Sequence, residues 1–223
     1  MLITATSTDS EFDIHFEPEI ELTHFQRELA FHSLHTYNSI PNVTAANNKL
    51  AWETGGKKVV REIPEGLYTF TELARHIEYV SKIKISYDAS QKAVVKLPEG
   101  TTVDFTADDS IGRLLGFDKR VVKDGLVQGD SLIQISNVNA LMVHVDIITG
   151  SRNNGKISNV VYSFYPDVAP GAKIVENARH LIYLPFFNKG RQSLDRLRVR
   201  ITDQHMNPVD FRGEPITITF FLR

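Results

Sequence analysis

Between Leu141 and Arg223 the chain alternates apolar and polar residues in short runs, each broken by a cluster of turn residues. That period-2 pattern at regular spacing restricts the region to antiparallel β-structure. Leu141–Ile148 alternates and then turns at Thr149–Gly155. Lys156–Tyr165 follows, closed by Pro166–Gly171, and His180–Pro185 forms a third run. Leu194–Ile201 places Leu197, Val199 and Ile201 on one face and arginines on the other. Ile216–Leu222 is a fifth run. Asn, Gly, Pro and Asp supply the turns, each for its own backbone reason. A sandwich or barrel is the expected result.

The 223 residues and 42% hydrophobic content suffice for a sizeable core. A net charge of −2, with both signs interspersed, gives no electrostatic footprint for nucleic acid or an acidic membrane surface. The absence of cysteine excludes disulfides and thiolate chemistry. Met1–Ser10 lacks the basic and apolar regions of a signal peptide, and no window approaches the ~18 apolar residues of a membrane helix. The expectation is a soluble protein made inside the cell and not secreted.

Upstream the pattern is mixed. Met1–Ser10 is Ser/Thr-rich and reads as a flexible N-terminal arm. Phe12–Phe16 alternates and continues past Pro18 to Leu22, and Glu28–Tyr37 is aromatic-rich and ends in turn chemistry, so both read as strands. Asn47–Trp52 and Lys57–Ile63 suggest a hairpin around Gly55-Gly56. Thr69 and Glu72 then have capping-box spacing, and Leu73, Ile77 and Val80 follow at helical spacing. Two short hairpin strands, Lys82–Tyr87 and Ala93–Leu97, and a further strand, Thr102–Thr106, follow. A helical turn near Asp108–Phe117 ends at Gly116. Asp130–Ile135 resumes strand character. We therefore assign residues 1–10 to an arm, 11–66 and 121–223 to one jelly-roll domain, and 67–120 to an inserted α+β subdomain. Two or three strands before the insertion and about six after it suit an eight-stranded antiparallel jelly-roll sandwich.

Candidate chemistry is sparse. His144 and Asp146 have the spacing of half an iron-binding triad, with His180 or His205 as a third ligand. Alternation, however, gives the core to Val143, Val145 and Ile147, so His144 and Asp146 are expected on the wet face. Asp9, Glu11, Asp13, Glu17, Glu19 and Glu21 alternate with apolar residues as the outer face of an edge strand would. Lys119, Arg120 and Lys123 form a small basic spot. Arg196, Arg198 and Arg200 form a one-sided ladder: either a solvated face or an inter-subunit contact to an acidic neighbour such as another protomer's N-terminal strand. No catalytic residue, cofactor site or metal site is assigned.

An ordered set of short motifs carries a resemblance. Tyr37–Asn42, Ile63–Tyr68, Asp109–Phe117, Ile147–Ser151 with Asn154–Lys156, Phe164–Pro166 with Pro170–Ile174, Ile182–Pro185, Val199–Gln204 and Asp210–Glu214 occur in that order. The set resembles the minor capsid (penton) proteins of Polinton/Maverick elements and the related adintoviruses. The resemblance implies a single jelly-roll virion protein. It would form homopentamers at the fivefold vertices of an icosahedral capsid, beside a double jelly-roll major capsid protein, with no cofactor and no direct nucleic-acid or membrane contact. Arg212-Gly213-Glu214 departs from the integrin-binding triplet of some viral vertex proteins, and a turn is the simpler account. The competing expectation is a carbohydrate- or receptor-binding sandwich, such as a fibre head or lectin, with Trp52 and other aromatics stacking on sugars.

Overall fold

The computed structural model describes residues 1–23, 27–123, 125–136, 138–188, 190 and 192–223. In chain order, β1 (Leu2–Ser7), β2 (Glu11–Glu21) and β3 (Glu28–Tyr37) come first. A second group follows: β4 (Lys49–Thr54), β5 (Lys57–Glu62), α1 (Phe70–Ser81), β6 (Lys84–Tyr87), β7 (Ala93–Lys96), β8 (Thr101–Asp104), β9 (Val121–Lys123) and β10 (Leu126–Gln128). Then come β11 (Leu141–Val145), β12 (Ser151–Asn153), β13 (Lys156–Ser158), β14 (Val160–Phe164), β15 (Lys173–Asn177), β16 (Leu184–Pro185), β17 (Ser193–Thr202) and β18 (Ile216–Leu222). The chain divides into two units, residues 1–40 with 138–223 and residues 41–137.

The first unit is a jelly roll. One sheet has the order β1-β18-β3-β15, with β16 also paired to β3, and the other has the order β14-β11-β17-β2. All neighbours are antiparallel. Leaving out the short β12, β13 and β16, consecutive strands switch sheets at every step but one, from β11 to β14. This is the connectivity of two interlocked Greek keys. Alternation supplies the core. Leu197, Val199 and Ile201 of β17 face Ile216, Ile218 and Phe220 of β18 across the sandwich, each fully buried, with Phe31, Leu34, Val143 and Val145 beside them. Tyr162 bridges the two sheets near their edges. Its ring stacks on Phe31 at 4.2 Å, and its hydroxyl donates to Glu176 Oε1 at 2.7 Å. Burial and that carboxylate push its pKa up to about 12.

Two expectations are corrected here. The N-terminal stretch is not a free arm: Leu2–Ser7 pairs with β18 through six consecutive residues, Leu2 opposite Phe221 and Ser7 opposite Ile216. Thr4 and Thr6, which made the stretch look unstructured, lie on the exposed face and meet the hydroxyls of Thr219 and Thr217. The second correction is to the inserted unit, which runs over residues 41–137 rather than 67–120. The hairpin β4–β5 joins β8 and β9 in a β5-β4-β8-β9 sheet, so residues 49–62 and 121–123 belong with the helix and not with the sandwich.

The second unit has its own core around Leu50, Trp52, Leu73, Ile77, Phe105 and Leu115. Its helix begins where the sequence places it. Glu72 N–H donates to Thr69 Oγ1 and Thr69 N–H to Glu72 Oε2, completing the capping box. Gly116, at φ +78, closes the short helical turn, and a Cβ there would collide with the Ser131 carbonyl. Residues 130–135 form no strand, bending at Asp130 and Ser131, and Ile133 and Ile135 pack on this core. The later strand runs also shorten. His180–Pro185 contributes only Leu184–Pro185, and Lys156–Tyr165 splits into β13 and β14.

Asn42 ties this unit's two ends together. Its buried amide donates to the carbonyls of Tyr68 and Ile135, both at 2.7 Å, and accepts from Tyr68 N–H at 2.9 Å. Asn42→Ala leaves three backbone groups without this partner and is expected to cost about 2–3 kcal/mol. Chemical denaturation monitored by Trp52 fluorescence measures it. A loss below about 0.5 kcal/mol would show that the tie is dispensable.

Candidate assembly surface

The two outer faces of the sandwich differ in charge. On the β14-β11-β17-β2 sheet, register places Arg196, Arg198 and Arg200 opposite His15, Asp13 and Glu11. Arg198 forks onto Asp13, with Nε–Oδ1 at 2.9 Å and Nη2–Oδ2 at 3.3 Å, and lies 4.0 Å from Glu11. Arg196 reaches Asp13 at 3.6 Å and Asp146 at 3.9 Å. The fork of Arg198 holds the Asp13 carboxyl below the usual carboxylate range. The acidic strand that meets the ladder is thus the chain's own β2, and the guanidinium groups of Arg196 and Arg198 remain roughly half exposed.

His144 departs from its expected place. It points from the outer side of β11 but is 1% exposed. The alternation of β11 holds, with Val143 and Val145 inward, but Asn159 and Thr202 close on the ring: Asn159 Oδ1 lies 3.0 Å from Nδ1 and Thr202 Oγ1 2.9 Å from Nε2. Asn153 of the β12–β13 hairpin reaches Met142 on the same face. Burial, and secondarily Arg200, press the imidazole pKa below its ordinary value against the Asn159 bond that favours the charged form. Among the described residues, no group of His, Asp and Glu is placed to hold a metal ion.

Other residues singled out by sequence are also placed. Trp52 is 8% exposed in the second unit's core and offers no stacking face. Arg120 pairs with Asp130 at 3.0 Å and Lys119 with Asp108, so the basic spot is charge-balanced. Arg212 and Gly213 are the centre of a turn closed by Glu214 N–H to the Phe211 carbonyl. One feature had no sequence signal: an open cleft of about 540 Å³ between the 146–149 turn and the β12–β13 hairpin. Ile157 and Phe187 border it, 77% and 80% exposed.

The face of the other sheet is nearly uncharged. Register aligns Leu2, Phe221 and Ala30 in one row, Thr4, Thr219, Ser33 and Asn177 in the next, and Thr6, Thr217, His35 and Val175 in a third. Beyond these rows, Lys173 stands opposite Tyr37 at one end of the face and the Glu28–Arg223 ion pair at the other. No protein-family model and no curated protein matches the chain. Among solved structures, the crystal structure of the mavirus penton protein matches with a TM-score of 0.54 at 10% identity, over 100% of this chain and 98% of that one. The chain has the fold of a viral penton protein. The resemblance carried by the sequence motifs therefore has a counterpart in three dimensions along the whole chain. No described helix is long and apolar enough to cross a membrane.

Two outcomes test this electrostatic layout. Folded His144 resists a proton that the unfolded chain accepts, so stability should begin to fall as pH drops below about 6.5. The lowered carboxyls, including Asp13 and Asp104 (about 2), contribute stability above their ordinary value of 3.8 that is lost at lower pH. Thermal melts from pH 8 to 3 should show both stages, and His144→Gln should remove the upper one; an unchanged slope between pH 7 and 5 would contradict this. Separately, Arg198→Glu sets a third carboxylate beside Asp13 and Glu11. It should lower the melting temperature at low salt and recover partly at high salt, whereas an unaltered melt would show that the fork is idle.

Proposed function

We propose that the chain is a structural capsid protein, a penton subunit that forms homopentamers at the fivefold vertices of an icosahedral shell, beside a double jelly-roll major capsid protein. The observation that carries this reading is the full-length fold match to the mavirus penton protein together with the interlocked two-sheet connectivity. The physics agrees. A ring of identical subunits needs two different, mutually complementary patches on each copy. A sandwich holds such patches on stiff sheets while its connecting segments vary. A net charge of −2 sets little repulsion against packing copies side by side. The arginine ladder enters as a surface whose inward charges are already taken by β2, with its exposed guanidinium edges left to a neighbour.

A second reading, a glycan- or receptor-binding sandwich, has one foothold: the cleft beside Phe187, which Asn154, Lys156 and Asn159 also line. Native mass spectrometry across concentrations, alone and mixed with the major capsid protein, separates the two. The penton reading predicts a species of five times the 25.2 kDa chain. Strictly monomeric behaviour in every mixture, with a specific hit in a glycan screen, would favour the binding module.

A further inference from the structure

Natural sandwiches protect the outer edges of their sheets, because a row of unpaired backbone groups recruits another strand. Two of the four edges here are well protected. β2 carries Glu11, Asp13, Glu17, Glu19 and Glu21, with Pro18 among them. β14 has a bulge in its ladder and packs against β12. β15 is guarded less, because Glu176 turns inward to Tyr162 and leaves Lys173 as its one outward charge. β1 has none of these devices. Leu2-Ile-Thr-Ala-Thr-Ser7 contains no charge and no proline, and it pairs with β18 without a register break.

The hydrogen-bond phase defines what this edge offers. Met1 and Leu222 exchange bonds, so by alternation Ile3, Ala5 and Ser7 face β18, while the N–H and C=O groups of Leu2, Thr4 and Thr6 point off the sheet. At the opposite edge, Asn38 N–H donates to the Ala172 carbonyl and Ala178 N–H to that of His32. The same alternation turns the backbone groups of Lys173, Val175 and Asn177 off the sheet. Both sets have their side chains on the outer face, and all six are exposed. With two strands between them in a fully antiparallel sheet, the two edges also run in opposite directions. Identical sheets can therefore join edge to edge, with antiparallel hydrogen bonding and every outer face on the same side.

We infer that β1 of one copy adds to β15 of the next, so that adjacent subunits share one continuous sheet, with Thr4 opposite Val175, Leu2 opposite Asn177 and Thr6 opposite Lys173. The inference rests on the ring assembly proposed above and names the surface that closes it. A second copy suits this edge because the matching edge, in face and in direction, is on the chain itself. The register sets no like charges against one another. Symmetric pairing of β1 with β1 would instead give a closed dimer and no ring.

The lack of cysteine makes the test clean. Thr4→Cys is combined in turn with Lys173→Cys, Val175→Cys and Asn177→Cys, and each protein is mildly oxidised after assembly. Within one chain the two edges lie three strand spacings apart, about 14 Å, beyond disulfide reach. Bridges can then form only between copies. A covalent ladder of multimers on non-reducing gels, strongest for Thr4→Cys with Val175→Cys, is expected. Thr6→Cys with Lys173→Cys reads the same register if the Thr4 variants fold poorly. If the wild-type ring forms by native mass but no combination cross-links, another strand or none occupies the edge and the inference is overturned, while the penton reading stands. If the wild type makes no ring at all, it is the penton reading that fails.

Discussion

The sandwich depends on β18 lying between β1 and β3. Without it, one sheet is a single strand on one side and an unconnected group on the other. The strand is suited to that position: Ile216, Ile218, Phe220 and Leu222 are at most 1% exposed and form one side of the layer that β17 faces. Its opposite face carries Thr217, Thr219 and Phe221, short or flat side chains that pack against their neighbours on the sheet surface. Because β1 and β18 are at opposite ends of the sequence described, closing this sheet fixes the path of everything between them. The inserted 41–137 unit forms around a separate core within that path.

What the sequence made legible was local. The capping box at Thr69 and Glu72 and the glycine stop at Gly116 are short-range devices, and each is found where spacing placed it. The long alternating strands β17 and β18 were equally plain, because one face is buried from Leu197 to Ile201 in β17 and from Ile216 to Leu222 in β18. What escaped was set by distant partners. Leu2–Ser7 holds only Leu2, Ile3 and Ala5 as apolar residues, and its identity as a strand comes from hydroxyl and backbone pairs to residues some 210 positions away. The limits of the inserted unit were obscured because β4–β5 alternates like a sandwich strand pair, and only its pairing with β8 shows where it belongs. At His144 the period-2 rule gave the right face but not its cover, which comes from Asn159 and Thr202, 15 and 58 positions away.

The division of charge between the faces joins fold to function. One sheet carries a lattice of arginines and carboxylates paired within the chain, with Arg196 and Arg198 still partly exposed. The other presents rows of threonine, serine, leucine, valine and phenylalanine that ask little desolvation of a neighbour. No buried reactive constellation competes with that reading among the described residues: the buried histidine has both ring nitrogens taken by Asn159 and Thr202, and the raised tyrosine serves as a strut between sheets.

The two ends of the described chain, β1 and β18, form one sheet. Native-state amide hydrogen exchange tests it at single residues. The amides of Ile3, Ala5 and Ser7, which face β18, should exchange as slowly as those of β18 itself and open only with global unfolding. Exchange of these three at the rate of an unprotected peptide, with β17 and β3 still protected, would contradict it.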